Sequence, residues 1–155
     1  MLVSGVAAEK NATRISVIGV ENKPGVAFRL FDLIAQANIN VDMILQSIGR
    51  GNKKDISFTV PEDSADEAIK VLEDNKNILG AEKIDYNKNV AKVSIVGTGM
   101  MSAPGVAARM FECLYNAGVN INMISTSEIR VTVLIDEKDT ERAMIAAHDA
   151  FGLED

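Results

Sequence analysis

Hydrophobic residues in the first half of the chain follow two spacings, one typical of strands and one typical of helices. Four short segments are apolar or alternate apolar with polar residues, which predicts strands at residues 14–20, 41–48, 56–60 and 81–86. Two segments repeat apolar residues three and four positions apart, which predicts helices with stripes of Ala27, Leu30, Phe31, Ile34 and Ala35 and of Ala65, Ala68, Ile69 and Leu72. Ser64 and Glu67 predict a capping box at the start of the second helix. The order βαββαβ predicts a sheet with both helices on one face.

The same pattern returns in the second half of the chain. Residues 24–44 and 104–124 are identical at ten of 21 positions, which indicates a duplicated module. The second copy predicts strands at residues 91–96, 121–127 and 129–135 and helices at residues 104–117 and 139–150. Its last strand is missing, and an exposed sheet edge is a liability, so we expect residues 2–8 to supply that strand.

The predicted fold class is α+β, with two ferredoxin-like βαββαβ modules built on antiparallel sheets. The first module spans residues 10–88. The second spans residues 89–155 and is completed by residues 1–9, so the first module is inserted within it. We expect residues 87–89 to be a tight connector between the modules.

Composition and charge exclude several functions. The net charge of −6 argues against nucleic acid or an anionic membrane as the main partner. No apolar run is long enough to span a bilayer and no signal peptide is evident, so we expect a cytoplasmic protein. The single cysteine, Cys113, excludes an internal disulfide and a Cys-rich zinc site.

Two proline–glycine corners, each between a strand and a helix, are the candidate small-molecule sites. Pro24 and Gly25 form the first corner, and Pro104 and Gly105 form the second. A proline that opens a helix and the outward amides of the first turn favour a bound carboxylate, while Gln46 on the next strand would hold an amine. The alternative is a plain helix start in which the glycine serves packing.

The second corner is accompanied by a polar run, Ser125, Thr126, Ser127 and Glu128. The hydroxyl groups suit a zwitterion, and Glu128 would face an ammonium group. A polar hairpin turn capped by Glu128 and Arg130 is the alternative that the sequence leaves open.

Other chemical signals are weak. Residues 97–99 follow a strand but lack the spacing of a dinucleotide site, because Ser102 stands where a third glycine would be needed. His148 is expected on the surface and Cys113 in the core. We find no metal-ligand spacing, no cofactor motif and no catalytic residues in the sequence.

Three motifs together resemble the regulatory region of aspartate kinase, a tandem pair of ACT domains. They are residues 23–25 (Lys-Pro-Gly), residues 41–46 and the run at residues 124–130. The resemblance covers essentially the whole chain. It implies feedback inhibition by lysine and/or threonine, a homodimer formed through the ACT modules, and a catalytic kinase domain that is absent from these residues. The chain is then no enzyme by itself, and either a separate regulatory subunit or a shortened chain.

The resemblance also implies two sets of effector-binding residues. The first set is Asn22, Pro24, Gly25, Ala27 and Gln46, closed by Asn120 and Ile121 of the facing module in another subunit. The second set is Ser102, Ala103, Gly105, Val106, Ala107, Thr126, Ser127 and Glu128. The family often has Asp in place of Asn22, and some members have Thr in place of Ala107.

Three rival functions fit the same fold. An RNA-binding βαββαβ module would need aromatic residues on the central strands and a basic face, whereas these strands carry Val, Ile and Ser. A different ACT-type small-molecule sensor would share the corners. A stand-alone enzyme would need a nucleophile or base, and the sequence offers no candidate.

Overall fold

A computed structural model describes residues 3–98 and 105–152. The chain separates into two compact units. The first unit consists of residues 11–88, and the second consists of residues 3–10 together with the described residues from 89 to 152. The boundary falls within two long strands, β1 (Gly5–Glu21) and β4 (Lys83–Val96).

The first unit has the order βαββαβ, with one additional short helix. Between β1 and β4 lie α1 (Val26–Gln36), β2 (Ile44–Ile48), β3 (Lys53–Pro61), α2 (Ala65–Asp74) and α3 (Lys76–Leu79). Its strands are arranged β2-β3-β1-β4, and β3 is antiparallel to both of its neighbours. β2 is therefore an edge strand of this unit.

The core of the first unit lies between this sheet and its helices. Ile15 and Val17 of β1 are opposite Phe58 and Ile56 of β3, and all four side chains are fully buried. The buried residues of α1, which are Val26, Leu30 and Ile34, pack in the same cluster. Because side chains on one face of a sheet share that face with their cross-strand partners, the face bearing Ile15 and Val17 is the one that the helices cover.

The second unit repeats this arrangement with α4 (Val106–Asn116), β5 (Met123–Thr126), β6 (Arg130–Asp136) and α5 (Thr140–Ala150). Its strands are arranged β1-β4-β6-β5. The N-terminal part of β1 is its fourth strand, and next to that strand the Ser4 N–H donates to Val96 O at 2.7 Å. The predicted α+β class, the helices on one face and the N-terminal strand are confirmed.

The structure corrects the predicted strand limits. β1 joins the strands predicted at residues 2–8 and 14–20, and β4 joins those predicted at residues 81–86 and 91–96. Residues 87–89 were expected to be a connector, but they continue β4 without interruption. β2 begins at Ile44 rather than at residue 41, and β5 is shorter than residues 121–127.

The predicted helix starts also change. Pro24 was expected to open α1, whereas the helix begins at Val26 and Gly25 is its N-cap. The capping box of Ser64 and Glu67 is wrong: a 3₁₀ turn at Glu62–Ser64 precedes α2, and Ser64 makes no side-chain cap hydrogen bond. Ser64 has ψ of −4°, so it lacks the extended backbone that a capping side chain needs.

The apolar stripe of α1 keeps Leu30 and Ile34 at its centre but differs from the prediction at its margins. Val26 is buried, while Ala35 is exposed, and Ala27 and Phe31 are only half-buried. The short helix α3 has no predicted counterpart.

Candidate functional site

The first corner is shaped by the backbone of Gly25. Its φ of +94° lies in the left-handed region, which glycine adopts without strain. The Arg29 N–H donates to Gly25 O at 3.0 Å, which closes the first turn of α1. No described side chain caps this helix start. The first-turn amides therefore remain available to an acceptor from outside the helix.

Packing does not explain the glycine. A Cβ built on Gly25 meets no described heavy atom within 4 Å, and the same is true of Gly105. The alternative in which Gly25 allows close packing thus has no support in the described part of the chain. What the glycine provides is its backbone conformation, with open space beside it.

The electrostatics of the corner favour an anion. The first turn of α1 contains no acidic residue, so the positive end of the helix dipole is not neutralised from within the helix. α4 repeats this arrangement: Gly105 has φ of +99°, and the first turn has no acidic residue. Both helices contain 11 residues, enough for an appreciable dipole at their ends.

Gln46 lies on β2, on the helix-covered face of the sheet. It is opposite Ile56 in β3, which is itself opposite Val17 in β1, and both of those residues belong to the core. Gln46 therefore projects from the face that α1 covers, but it remains exposed because β2 is an edge strand. Its amide can both donate and accept a hydrogen bond there.

The remaining residues of the first set are divided between the two units. Asn22 is half-buried, and its backbone N–H donates to Asn52 O at 2.8 Å, which joins the corner to the β2–β3 turn. Pro24 is exposed and Ala27 is half-buried at the start of α1. Asn120 and Ile121, predicted to close the site from another subunit, lie in the segment between α4 and β5 of the second unit.

The second corner shares two features with the first, a left-handed glycine before the helix and a polar residue on the helix-covered face of the following strand. Thr126 stands 80 positions after Gln46. It is opposite Val131, which is opposite Ile95 of the core, so Thr126 also projects from the helix-covered face. Gly105, Val106 and Ala107 form the start of α4. The predicted Ser102 and Ala103 lie outside the described residues.

Ser127 and Glu128 lie in the turn between β5 and β6. The Ser127 N–H donates to Arg130 O at 2.8 Å, so the main chain closes this turn. Glu128 is exposed, and within residues 3–98 and 105–152 no ion pair joins it to Arg130. The cap by Glu128 and Arg130 that the alternative required is therefore not seen.

The face of each sheet away from the helices carries hydroxyl groups. Ser16 and Ser57 share a hydrogen bond of 2.7 Å in the first unit, and Ser94 and Thr132 share one of 2.7 Å in the second. Ser16 and Ser94 are both buried. An RNA-binding sheet would instead expose aromatic rings on its central strands, so these pairs do not favour that function.

Other reactive groups lie away from the corners. Cys113 is half-buried and its Sγ contacts Met110 O at 3.0 Å, and burial raises the pKa of its thiol. His148 is half-buried on α5, and its Nδ1 has no hydrogen-bond partner among the described residues. Those residues contain no group of three or more potential metal ligands. In the same part of the chain, no helix is long and apolar enough to cross a membrane.

The sequence located both corners but missed the conformation that makes them open. A positive φ at Gly25 and Gly105 has one sequence signal, a glycine that directly precedes a helical stripe. That signal also fits a packing role, and the space beside each glycine, in which no described atom lies, depends on tertiary structure.

Comparison with known proteins identifies the family. The ACT domain model matches residues 15–75 and 93–151. An aspartate kinase of Pseudomonas fluorescens is 44% identical over 153 residues, and an aspartokinase of Helicobacter pylori is 45% identical over 153 residues. Each alignment includes 99% of this chain, which spans 37% of the length of either relative.

A solved structure matches nearly end to end. The regulatory subunit of aspartate kinase from Thermus thermophilus is 39% identical, with a TM-score of 0.93, and the alignment covers 97% of this chain and 99% of that one. The chain therefore belongs to the ACT domain family, as a tandem pair of ACT domains of the kind found in the regulatory part of aspartate kinases.

Proposed function

We propose that this chain binds free amino acids at its two proline–glycine corners and thereby regulates an aspartate kinase by feedback inhibition. The start of an 11-residue helix at each corner, where no described side chain makes a cap hydrogen bond, carries the proposal. Lysine and threonine are the effectors that the resemblance to aspartate kinases implies. Residues 10–88 form one ACT module, and residues 89–155 with residues 1–9 form the other.

At the first corner, the amides that follow Gly25 hold the α-carboxylate of the effector. A carboxylate at a helix N-terminus gains hydrogen bonds and a favourable dipole together. Asn22 and Gln46 accept hydrogen bonds from the α-ammonium group, and Pro24 and Ala27 line the site. Asn22 is uncharged, so recognition of the ammonium there depends on hydrogen bonds rather than on an ion pair.

The second corner binds an effector in the same orientation. The amides of Val106 and Ala107, which follow Gly105, hold the carboxylate, and Ser102 and Ala103 border the site. Thr126 and Ser127 supply hydroxyl groups to the ammonium, and Glu128 offers a carboxylate to a cationic side chain. A cationic side chain distinguishes lysine from threonine, so Glu128 favours lysine at this corner.

A second copy of the chain completes both sites. β2 is an edge strand with all five residues exposed, and its apolar residues include Ile44, Leu45 and Ile48. Natural proteins rarely leave such an edge open to water. Pairing with another copy covers it and brings Asn120 and Ile121 of that copy against the first corner.

Regulation follows if the effector binds one state of the kinase better than the other. A ligand shifts a conformational equilibrium only by its difference in affinity for the two states. Binding at a seam between two copies changes how those copies fit together, and the attached or associated catalytic part of the kinase responds to that change.

Calorimetric titration with lysine and with threonine tests this function. Gln46→Ala removes the side-chain contact at the first corner, and Thr126→Ala removes its counterpart at the second. We expect each variant to weaken one binding event by about tenfold, the effect of about 1.4 kcal/mol. Ser47→Ala is the matched control, because Ser47 is exposed on the same strand but opposite Asp55 on the other face. Equal affinities in all four proteins would refute the sites.

A further inference from the structure

The first unit contains a small cavity that adjoins the first corner at Val26. It has a volume of about 80 Å³ and lies between the start of α1 and the end of α3. We call it the α1–α3 cleft. It is lined by Glu21, Lys23, Val26, Arg29, Ile78, Leu79 and Gly80.

The cleft and Gln46 lie on opposite sides of α1. Leu79 and Gly80 lead into β4, which is next to β1, whereas Gln46 is on β2 at the far side of β3. Of the cleft residues, only Val26 also belongs to the first corner, where its backbone amide is proposed to hold the effector carboxylate. The cleft therefore adjoins the first corner at Val26 and extends from there towards α3.

Positive charge predominates in the cleft. It is lined by two cations, Lys23 and Arg29, and by one carboxylate, Glu21. Glu21 lies 3.0 Å from Lys23 Nζ, and this hydrogen bond and the lysine charge lower the pKa of Glu21. Arg29 forms no ion pair within the described ranges, so one full positive charge is left without a partner.

The inner wall of the cleft is apolar. Val26 and Leu79 line it, and they are only 4% and 5% exposed. Charges beside such a wall are less screened than charges in open water. A compact anion placed there would interact with Lys23 and Arg29 more strongly than an anion on an open surface.

The duplicated module provides an internal comparison. Arg109 stands 80 positions after Arg29, and its guanidinium lies 5.3 Å from the centre of the Phe151 ring. The equivalent arginine in the second unit is therefore already engaged by an aromatic side chain. In the first unit Arg29 lines a cavity instead, so the two equivalent arginines have different surroundings.

We propose that the α1–α3 cleft binds a compact oxyanion of the size of phosphate. Arg29 holds two of its oxygens through its planar fork, and Lys23 acts as a single charge. The carboxylate of Glu21 opposes binding, because it competes for Lys23. The proposal does not depend on the amino-acid sites, because Lys23, Arg29 and Glu21 have no role in them.

Titration of the full chain with inorganic phosphate, followed by amide NMR at constant ionic strength, tests the proposal. We expect saturable shifts centred on Lys23, Leu79 and Gly80, three lining residues that the amino-acid sites do not use. Arg29→Gln should weaken binding by about tenfold or more, because it removes a charged hydrogen-bond donor. Glu21→Gln should strengthen binding by about twofold or more, because Lys23 then has no competing carboxylate.

Arg109→Gln is the matched control and should leave phosphate binding unchanged. Gln46→Ala should also leave it unchanged, whatever its effect on amino-acid binding, so the two proposals fail separately. Chemical-shift changes that grow with phosphate concentration without saturating would show only diffuse attraction to surface cations and would overturn the proposal. An equal loss of phosphate affinity in Arg29→Gln and Arg109→Gln would overturn it as well.

Discussion

At the scale of single residues, the corner glycines are required for their backbone conformation rather than for close packing. Gly25 has φ of +94° and open space where a Cβ would be. Gly19 differs: its φ is +75°, and an added Cβ would lie 2.5 Å from Cδ of Glu82. It sits where the β1–β3 register shifts, and its N–H donates to Asp55 Oδ1 at 2.9 Å. A side chain at Gly25 would therefore meet only backbone strain, whereas one at Gly19 would meet backbone strain and a clash with Glu82.

Alanine substitutions should lower the free energy of unfolding least at Gly5, more at Gly25 and most at Gly19. Gly25→Ala should destabilise by about 1–2 kcal/mol, the cost of a left-handed backbone for a residue with a Cβ. Gly19→Ala should cost more, because the Glu82 side chain must also move. Gly5→Ala is the control, since Gly5 has no positive φ and no neighbour within 4 Å of an added Cβ. Urea denaturation measures all three, and equal losses for Gly5 and Gly25 would contradict the conformational argument.

Buried threonines show why composition alone does not reveal a residue's role. Thr59 and Thr13 are both fully buried in strands of the first unit. The Met43 N–H donates to Thr59 Oγ1 at 3.0 Å, whereas Thr13 Oγ1 has no partner among the described residues. The sequence does not distinguish these two threonines, because the hydrogen bond to Thr59 forms only when residue 43 lies beside β3 in the folded chain.

At the scale of elements, Thr59 also determines how the chain enters β2. Its carbonyl accepts from the Asp42 N–H and its N–H donates to Met43 O, each at 3.0 Å. These bonds hold residues 42–43 against β3 before regular pairing begins at Ile44. The sequence predicted a strand from residue 41 because the apolar pattern begins there, but pairing begins three residues later.

Valine substitutions should therefore give opposite results. Thr59→Val leaves the buried Met43 N–H without an acceptor and should destabilise by about 1–3 kcal/mol. Thr13→Val replaces a hydroxyl group that has no described partner, so it should be neutral or stabilising. Urea unfolding of the two variants makes the comparison. A larger loss for Thr13→Val would contradict the hydrogen-bond assignment.

The long strands mark the limit of local pattern. Residues 87–89 are Asn, Lys and Asn, which have low strand propensity, so the sequence predicted a connector there. In the structure β4 continues through them, and Asn87 and Asn89 both interact with other residues. Pairing beside β1 outweighs local propensity. The sequence predicted that the longer helices exist, because residues with helical spacing, such as Leu30 and Ile34, are the ones buried in the core. It did not predict the start of α2 correctly, because a cap at Ser64 depends on backbone angles that the sequence does not show.

At the scale of the whole molecule, the repeat predicted the fold class, and the ACT domain matches at residues 15–75 and 93–151 agree with it. Gln46 became a candidate site residue from the sequence alone, because it is a polar residue in an otherwise apolar strand. The sequence did not reveal the α1–α3 cleft, since Arg29 and Gly80 meet only after folding.

The exposed edge strand gives a prediction about assembly. Ile48 is 74% exposed on β2, where we propose that a second copy pairs. Ile48→Lys should weaken self-association by about tenfold or more, because a charge at a strand edge opposes pairing. Ile145→Lys is the control, since Ile145 is 55% exposed on α5, away from the edge. Sedimentation velocity across a range of concentrations measures both, and equal dissociation constants would contradict the edge interface.

The central claim is that main-chain amides at the two corners hold the carboxylate of a free amino acid. The most direct measurement is amide NMR of the chain during titration with lysine and with threonine. The account predicts saturable downfield shifts of the amide protons of Val26 and Ala27, or of Val106 and Ala107, that the corresponding amino alcohols do not reproduce. Saturable binding without movement of these four amide signals, or no binding of either amino acid, would contradict it.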